Sequence, residues 1–246
     1  MPIPDRKRLP IQFPDLEIQI TDDGSRTLVR LSDGVAYHSG CGAWNETRHV
    51  YLGNSGVPEK FLRKEPCCVL EIGLGTGMAM LATLDEAISA ECKLEYVAIE
   101  NNWLQAELLQ HLDLGKQLQH PEIVDHFLDF RKWCDTDASQ AFTWNPTGLH
   151  SISVRCQDVS TSCNDFPGSK FDAIYFDPFD PATNPILWSK NVLSSMFGAL
   201  VQGGTLTTYC VKRTVRDTLR DVGFHVQRVG GPEGGKREVL IARKIA

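Results

Sequence analysis

The 246-residue sequence predicts an α/β fold: a doubly wound, mostly parallel sheet preceded by a β-rich extension. Three observations carry that expectation. Val69-Leu70-Glu71-Ile72-Gly73-Leu74-Gly75-Thr76-Gly77 runs from an apolar strand into alternate glycines, the form of a buried strand that hands a ligand to the next helix N-terminus. After Glu65, short apolar runs alternate with stretches of helical period, as in successive βαβ units. At the end, two strand patterns flank Gly230-Gly231-Pro232-Glu233-Gly234-Gly235, a turn that sets up an antiparallel hairpin at the sheet edge.

Taken in order, the extension (1–65) begins with a hairpin signal, in which Ile18-Gln19-Ile20 and Thr27-Leu28-Val29-Arg30-Leu31 alternate around the turn Asp22-Asp23-Gly24-Ser25. The polar, Gly-containing stretch 33–56 has no clear period; such an extension forms either the second wall of a substrate cleft or a plain β-cap. The main domain (66–246) opens with strand 67–72, and helix 78–89 follows the glycine turn. Strand 94–99, helix 103–119, strand 152–156, strand 171–176 and helix 186–200 come next. Strand 205–210, helix 214–222 and the closing strands 225–229 and 238–242 complete seven strands. Residues 121–148, with Trp133, Phe142 and Trp144 among polar neighbours, are too irregular to assign and are taken as an insertion beside the sheet.

The composition, 42% hydrophobic and 23% charged, is that of an ordinary globular chain. No apolar run nears the ~20 residues of a membrane span, and no apolar stretch follows the basic cluster Arg6-Lys7-Arg8, so a cytoplasmic protein is expected. Eight scattered cysteines without a CxxC pair fit reduced thiols and no metal site.

In a doubly wound sheet the ligand lies at the carboxyl ends of the central strands, so polar residues there are the candidates. Glu71 at the mouth of the glycine loop suits a cationic, amine-bearing ligand such as S-adenosylmethionine better than a pyrophosphate, which its charge repels. Met78, where the nicotinamide fingerprint has Gly or Ala, points the same way. Gly73, Gly75 and Gly77 allow the turn and the approach of backbone to ligand. Glu100 is placed to accept two ribose hydroxyls, and Asp158 either holds an adenine amino group or serves as a turn residue. Asp177 opens Asp177-Pro178-Phe179-Asp180-Pro181, a proline-stiffened loop beside the glycine loop, where a carboxylate can orient an amine or take its proton. Phe179 and Trp188 either stack on a planar base or pack the loop onto its helix.

Four blocks then resemble the methyltransferase domain of the bifunctional tRNA 5-methylaminomethyl-2-thiouridine biosynthesis enzymes (MnmC type). They are Glu46-Thr47-Arg48-His49-Val50-Tyr51-Leu52-Gly53-Asn54, Gly73-Leu74-Gly75-Thr76-Gly77-Met78, Asp172 to Asp177 with Asn184-Pro185 and Trp188, and Gly203-Gly204-Thr205-Leu206 with Lys236-Arg237-Glu238-Val239-Leu240. The resemblance implies a Rossmann-like seven-stranded methyltransferase fold. It also implies that Asp177 sits at the methyl-transfer site, with Glu46, the glycine loop, Glu100 and Asp158 on the cofactor side. The donor is then S-adenosylmethionine and the acceptor the aminomethyl nitrogen of a tRNA wobble uridine. Pro178 and Asp180 depart from the family, which has Gly and a small residue there. The family's flavin oxidase would have to be another protein.

Although the formal charge is −6, Lys212 to Lys244 holds nine Lys and Arg against four acids. Lys212, Arg213, Lys236 and Arg237 are therefore the candidate RNA contacts, unless this run is simply a solvated face. Two other classes stay open: a small-molecule or protein N-methyltransferase, and a non-enzymatic module that binds the cofactor.

Overall fold

The structure, a computed structural model, describes residues 5–135, 141–162 and 170–245. Residues 136–140 of the expected insertion and Cys163 lie outside the described residues.

Strands β1 (Arg8–Pro10), β2 (Leu16–Ile20) and β3 (Arg26–Arg30) form an antiparallel sheet of three. Ile18 pairs with Leu28, and both are buried. The β2–β3 turn also caps the next helix, α1 (Ala43–Thr47). Asp23 Oδ2 accepts from Asn45 N at 2.9 Å, Ser25 Oγ from Trp44 N at 3.1 Å and Thr21 Oγ1 from Ala43 N at 3.3 Å. These are the amides a helix N-terminus leaves without partners, so the hairpin fixes where α1 starts. A π-helical turn, Arg48–Gly53, continues from α1 and leads to α2 (Val57–Leu62).

The main sheet is assembled from β4 (Cys67–Ile72), β5 (Leu94–Glu100), β6 (Ala141–Thr147), β7 (His150–Cys156), β8 (Phe171–Phe176), β9 (Leu200–Thr208), β10 (His225–Gly230) and β11 (Glu238–Arg243). Its order is β10-β11-β9-β8-β4-β5-β7-β6. The pairs from β9 to β7 are parallel and the outer ones antiparallel. The chain starts in the middle at β4 and builds outward both ways, which opens a crevice at the carboxyl ends of β4 and β8. The helices are α3 (Met78–Ser89), α4 (Ala106–Leu109), α5 (Ile123–Cys134), α6 (Val159–Ser162), α7 (Lys190–Ala199) and α8 (Arg213–Val222).

Seven strands follow the sequence expectation, the closing hairpin included. Two expectations are corrected. The helix expected over 103–119 is α4 followed by two 3₁₀ turns, Gln110–Leu112 and Leu114–Gln117, broken by Asp113 in the left-handed region. Its periodic leucines are buried all the same, and Arg26 takes the carbonyl of His111 at 2.8 Å, so tertiary contacts replace helical ones. The stretch 121–148 is not a loose insertion, because it contains α5 and β6, an eighth strand at the sheet edge. The helical signal was present: Ile123, Phe127, Phe130 and Cys134 follow one helix face and are all buried.

One apolar cluster runs without interruption from the extension (Ile18, Leu28, Trp44) through α3 (Leu81, Leu84) to α5 (Phe127). A second fills the opposite face of the sheet with Ile72, Ile174, Leu193 and Leu240. The extension and the sheet are thus held by shared core. Among the described residues no helix is long and apolar enough to cross a membrane.

Gly77 belongs to this packing. Its φ is +80°, and an added Cβ would lie 2.7 Å from Phe127 Cζ. Gly77→Val is expected to lower unfolding free energy by about 2 kcal/mol or more through overpacking and a strained φ, as measured by urea denaturation.

Candidate active site

A cavity of about 330 Å³ opens at the carboxyl ends of β4, β5 and β8, walled on its far side by the extension. Gly73, Gly75, Glu71, Glu100, Asp158 and Asp177 all line it; Gly77 does not. Gly77 therefore shapes the loop by letting α5 pack against it.

The glycine loop and the Asp177 loop are in direct contact. A Cβ on Gly73 would sit 2.7 Å from the backbone oxygen of Asp177, and Asp177 N donates to Ile72 O at 2.9 Å. Gly75 has φ +50° and faces open space toward Tyr37, so it presents bare backbone to the cavity. Its N–H donates to Glu100 Oε2 at 2.8 Å, while Asn102 N donates to Glu100 Oε1 at 2.6 Å. A carboxylate has four lone-pair sites, so Glu100 keeps acceptor capacity toward the cavity on both oxygens. Burial raises its pKa, and the two backbone donors oppose that rise. Glu71 is only 2% exposed and accepts from Tyr96 OH at 2.9 Å. Burial pushes its carboxyl well above the usual range, so an arriving cation would favour ionisation of Glu71 as well as meet its charge. Asp158 is exposed, accepts from Ser160 N at 2.8 Å as the first turn of α6, and sits beside Gln157. Gln157 Nε2 is buried at the cavity without a hydrogen-bond partner. An orphaned amide donor beside a carboxylate that caps a strand end fits a nucleoside with acceptor atoms on its base and two ribose hydroxyls.

The other end of the cavity is built around Asp177. Tyr51, from the π-helical turn, donates to its carboxylate, and burial with the nearby charges of Glu46 and Glu100 pushes the Asp177 pKa up to about 8. The tyrosine bond and Lys236 act in the opposite sense. Glu46, fixed on α1, accepts from Ser39 N at 2.6 Å and meets Lys236 Nζ at 3.6 Å. The Lys236 ammonium also lies 3.8 Å from the centre of the Tyr209 ring. Glu46 therefore belongs to the Asp177 end.

The loop after Asp177 is braced at every turn. Pro178 O accepts from Tyr209 OH at 2.9 Å, Phe179 O accepts from Trp188 Nε1 at 3.0 Å, and Asp180 pairs with Lys212 at 2.5 Å. Trp188 is 5% exposed and packs edge-on against Phe176 at 5.1 Å, so it anchors the loop from inside and offers no face to a base. Phe179 does line the cavity, with Tyr37 edge-on at 5.7 Å and the Arg30 guanidinium 5.6 Å from its centre.

The four expected RNA contacts are not one track. Lys236 turns into the cleft, Lys212 is tied to Asp180, and Arg213 stands out beside Asp217 at 3.4 Å. Arg237 is exposed. Tyr51, Tyr209 and Gln157 were not singled out from sequence. Tyr209 and Gln157 each directly follow a strand, and the strand-end rule finds both. Among the described residues no cluster of His, Cys, Asp and Glu is arranged to hold a metal ion.

Residues 129–245 match the family model described as S-adenosyl-L-methionine-dependent methyltransferase. The chain is 30% identical over 204 residues to the tRNA 5-methylaminomethyl-2-thiouridine biosynthesis bifunctional protein MnmC of Leptospira borgpetersenii, covering 80% of this chain and 30% of that protein. It is 29% identical over 231 residues to the MnmC protein of Cupriavidus metallidurans, covering 91% of this chain and 33% of that one. The chain thus spans about a third of the length of these curated relatives. Among solved structures, MNMC2 from Aquifex aeolicus superposes with a TM-score of 0.75 at 24% identity, covering 94% of this chain and 71% of that one. A probable spermidine synthase from Corynebacterium glutamicum shares the fold at a TM-score of 0.53 and 12% identity, covering 99% and 81%. With a glycine loop, an acid at the end of β5 and this relatedness, the chain is an S-adenosylmethionine-dependent methyltransferase related to the methyltransferase domain of the MnmC proteins.

Proposed function

We propose that this methyltransferase acts on the amino nitrogen of an aminomethyl group carried by a tRNA wobble uridine. The observation that carries the reading is Asp177: a carboxyl held deep in the cleft, directly against the glycine loop, with Tyr51 donating to it. The relatedness to the tRNA 5-methylaminomethyl-2-thiouridine biosynthesis proteins supports the same acceptor. Glu100 would hold the ribose hydroxyls of the cofactor, Gln157 and Asp158 its base, and the backbone of Gly73 to Gly75 its amino acid end. S-adenosylmethionine, when bound there, supplies an electrophilic methyl group, and the accepting amine must give up a proton. Asp177 accepts that proton, and Phe179 gives the uracil ring a face to lie on. In this reading residues 1–65 form the acceptor-side wall and 66–246 the cofactor domain, and the protein works in the cytoplasm where tRNA is modified. The test is to incubate the purified protein with labelled S-adenosylmethionine and tRNA bearing the aminomethyl wobble uridine, then digest and analyse nucleosides by mass spectrometry. The expected product carries one added methyl on that nucleoside; label found only in small amines, or none, rejects the reading.

Glu100→Gln removes the charge and turns an amide NH2 toward one of the two backbone N–H donors, Gly75 or Asn102, while its remaining oxygen accepts from the other. It is expected to weaken S-adenosylhomocysteine binding by roughly ten- to a hundred-fold, as for loss of a charged hydrogen bond, measured by calorimetry.

A further inference from the structure

The acceptor end of the cleft contains a cation that the reading above does not use. Lys236 lies two residues before β11, and its side chain crosses from the closing hairpin to the extension. Its ammonium lies 3.6 Å from Glu46 Oε1 and 3.8 Å from the centre of the Tyr209 ring, in the same cavity that Asp177 lines. A lysine serving only as an RNA contact would extend into water. This one, although 44% exposed, has its ammonium drawn onto an aromatic face and a buried acid, so one side of its charge faces the cavity.

We propose that Lys236 is a positioning residue of the acceptor site. Its ammonium, clamped between Glu46 and Tyr209, is the counter-charge that keeps the Asp177 carboxyl ready to take the proton the accepting amine loses. The inference rests on the acceptor being an amine, as proposed above. The charges facing Asp177 are Glu46 from α1, Glu71 from β4, Glu100 from β5 and Lys236, with Tyr51 and Tyr209 as neutral hydroxyls. Burial first, and then the acids against one ammonium, favour a protonated Asp177, and a protonated Asp177 has no room for a second proton. In the transfer, the amine lone pair forms the N–C bond while the C–S bond breaks toward sulfur. The surplus proton on nitrogen goes to the Asp177 carboxylate, so the charges balance at a neutral thioether, a neutral secondary amine and a carboxylic acid. A fixed ammonium nearby also disfavours the protonated form of the incoming amine, so both of its effects run the same way.

The test is made first on the protein without cofactor. Asp177 is followed by carboxyl ¹³C NMR of aspartate-labelled protein, with its signal assigned by its absence in Asp177→Asn. In Lys236→Met its midpoint is expected to rise by about one pH unit, and in Lys236→Arg to stay near wild type. The rising limb of methyl transfer against pH should move by the same amount, with cofactor affinity unchanged. Should the methionine variant lose S-adenosylhomocysteine binding or melt early, Lys236→Gln, which retains a donor to Glu46 without the charge, is read in the same way. A midpoint in the neutral variants at or below wild type overturns the inference. A wild-type enzyme that does not methylate aminomethyl-bearing tRNA rejects the acceptor instead, and the NMR midpoint distinguishes that failure from this one.

Discussion

Asp177→Asn and Asp177→Ala are expected to lower turnover by ~10²-fold or more while S-adenosylhomocysteine affinity stays within a few-fold of wild type. The scale is that of a positioned acid or base, and the split follows from geometry: the carboxyl side chain faces the acceptor end, whereas the backbone of the same residue abuts Gly73 and survives substitution. A pH profile goes with it. In the proposed reaction the ionised form takes the proton, and burial pushes its pKa up to about 8, so kcat/KM should rise with pH through that value and level off above it. The same shift acts on stability. Between the ordinary aspartate value of 3.8 and about 8, the folded protein keeps a proton that the unfolded chain releases. Stability attributable to this group therefore declines across that window as pH rises. Asp177→Asn removes the decline, so the variant should melt at a higher temperature than wild type at pH 8 to 9 even as it loses activity. Near-normal turnover in both variants would leave Asp177 as a loop residue only.

Gly75→Val should abolish cofactor binding without unfolding the protein. No atom beyond the neighbouring residues lies closer than 3.7 Å to the added Cβ, so the backbone accepts it without a clash, and the branched methyls point toward the cavity that Gly75 lines. The φ of +50° adds local strain of about 1 to 2 kcal/mol that a β-branched residue cannot relieve. The contrast with Gly77→Val isolates the two roles within one loop: the first variant should melt near wild type and fail in calorimetry with S-adenosylhomocysteine, the second should melt early. Unchanged affinity in Gly75→Val would reject the cofactor assignment for this loop.

What the sequence disclosed and what it concealed divide along a physical line. The order of strands, the glycine turn and the carboxylates at strand ends are local patterns, and they were legible because a buried parallel sheet leaves little choice of residue. Residues 103–119 were misjudged because helical spacing of leucines records which face is buried, not which backbone geometry buries it; Asp113 and Gly115 permitted the break. The edge strand β6 sits among Asn, Pro and Thr, where one face is wet and alternation is weak. Lys236 was counted with the basic surface because its sequence neighbours are charged. Its partners, Glu46 and Tyr209, are remote in sequence, and only the meeting of hairpin and extension brings them together. Trp188 was similarly ambiguous, since an aromatic after a proline-rich loop has the same composition whether it faces a base or the core.

The backbone contact between Gly73 and Asp177 makes the two halves of the cleft thermodynamically reciprocal. With the Cβ position of one only 2.7 Å from the carbonyl of the other, neither loop has slack to move alone. Any adjustment of the glycine turn on taking up its ligand is passed to the carboxyl on the far side. Whatever factor the first ligand applies to the affinity of the second, the second must return to the first. Under the proposed reaction the same linkage would reach product release: loss of the sulfonium charge at one end would alter, through the shared backbone, how firmly the other end holds the methylated acceptor.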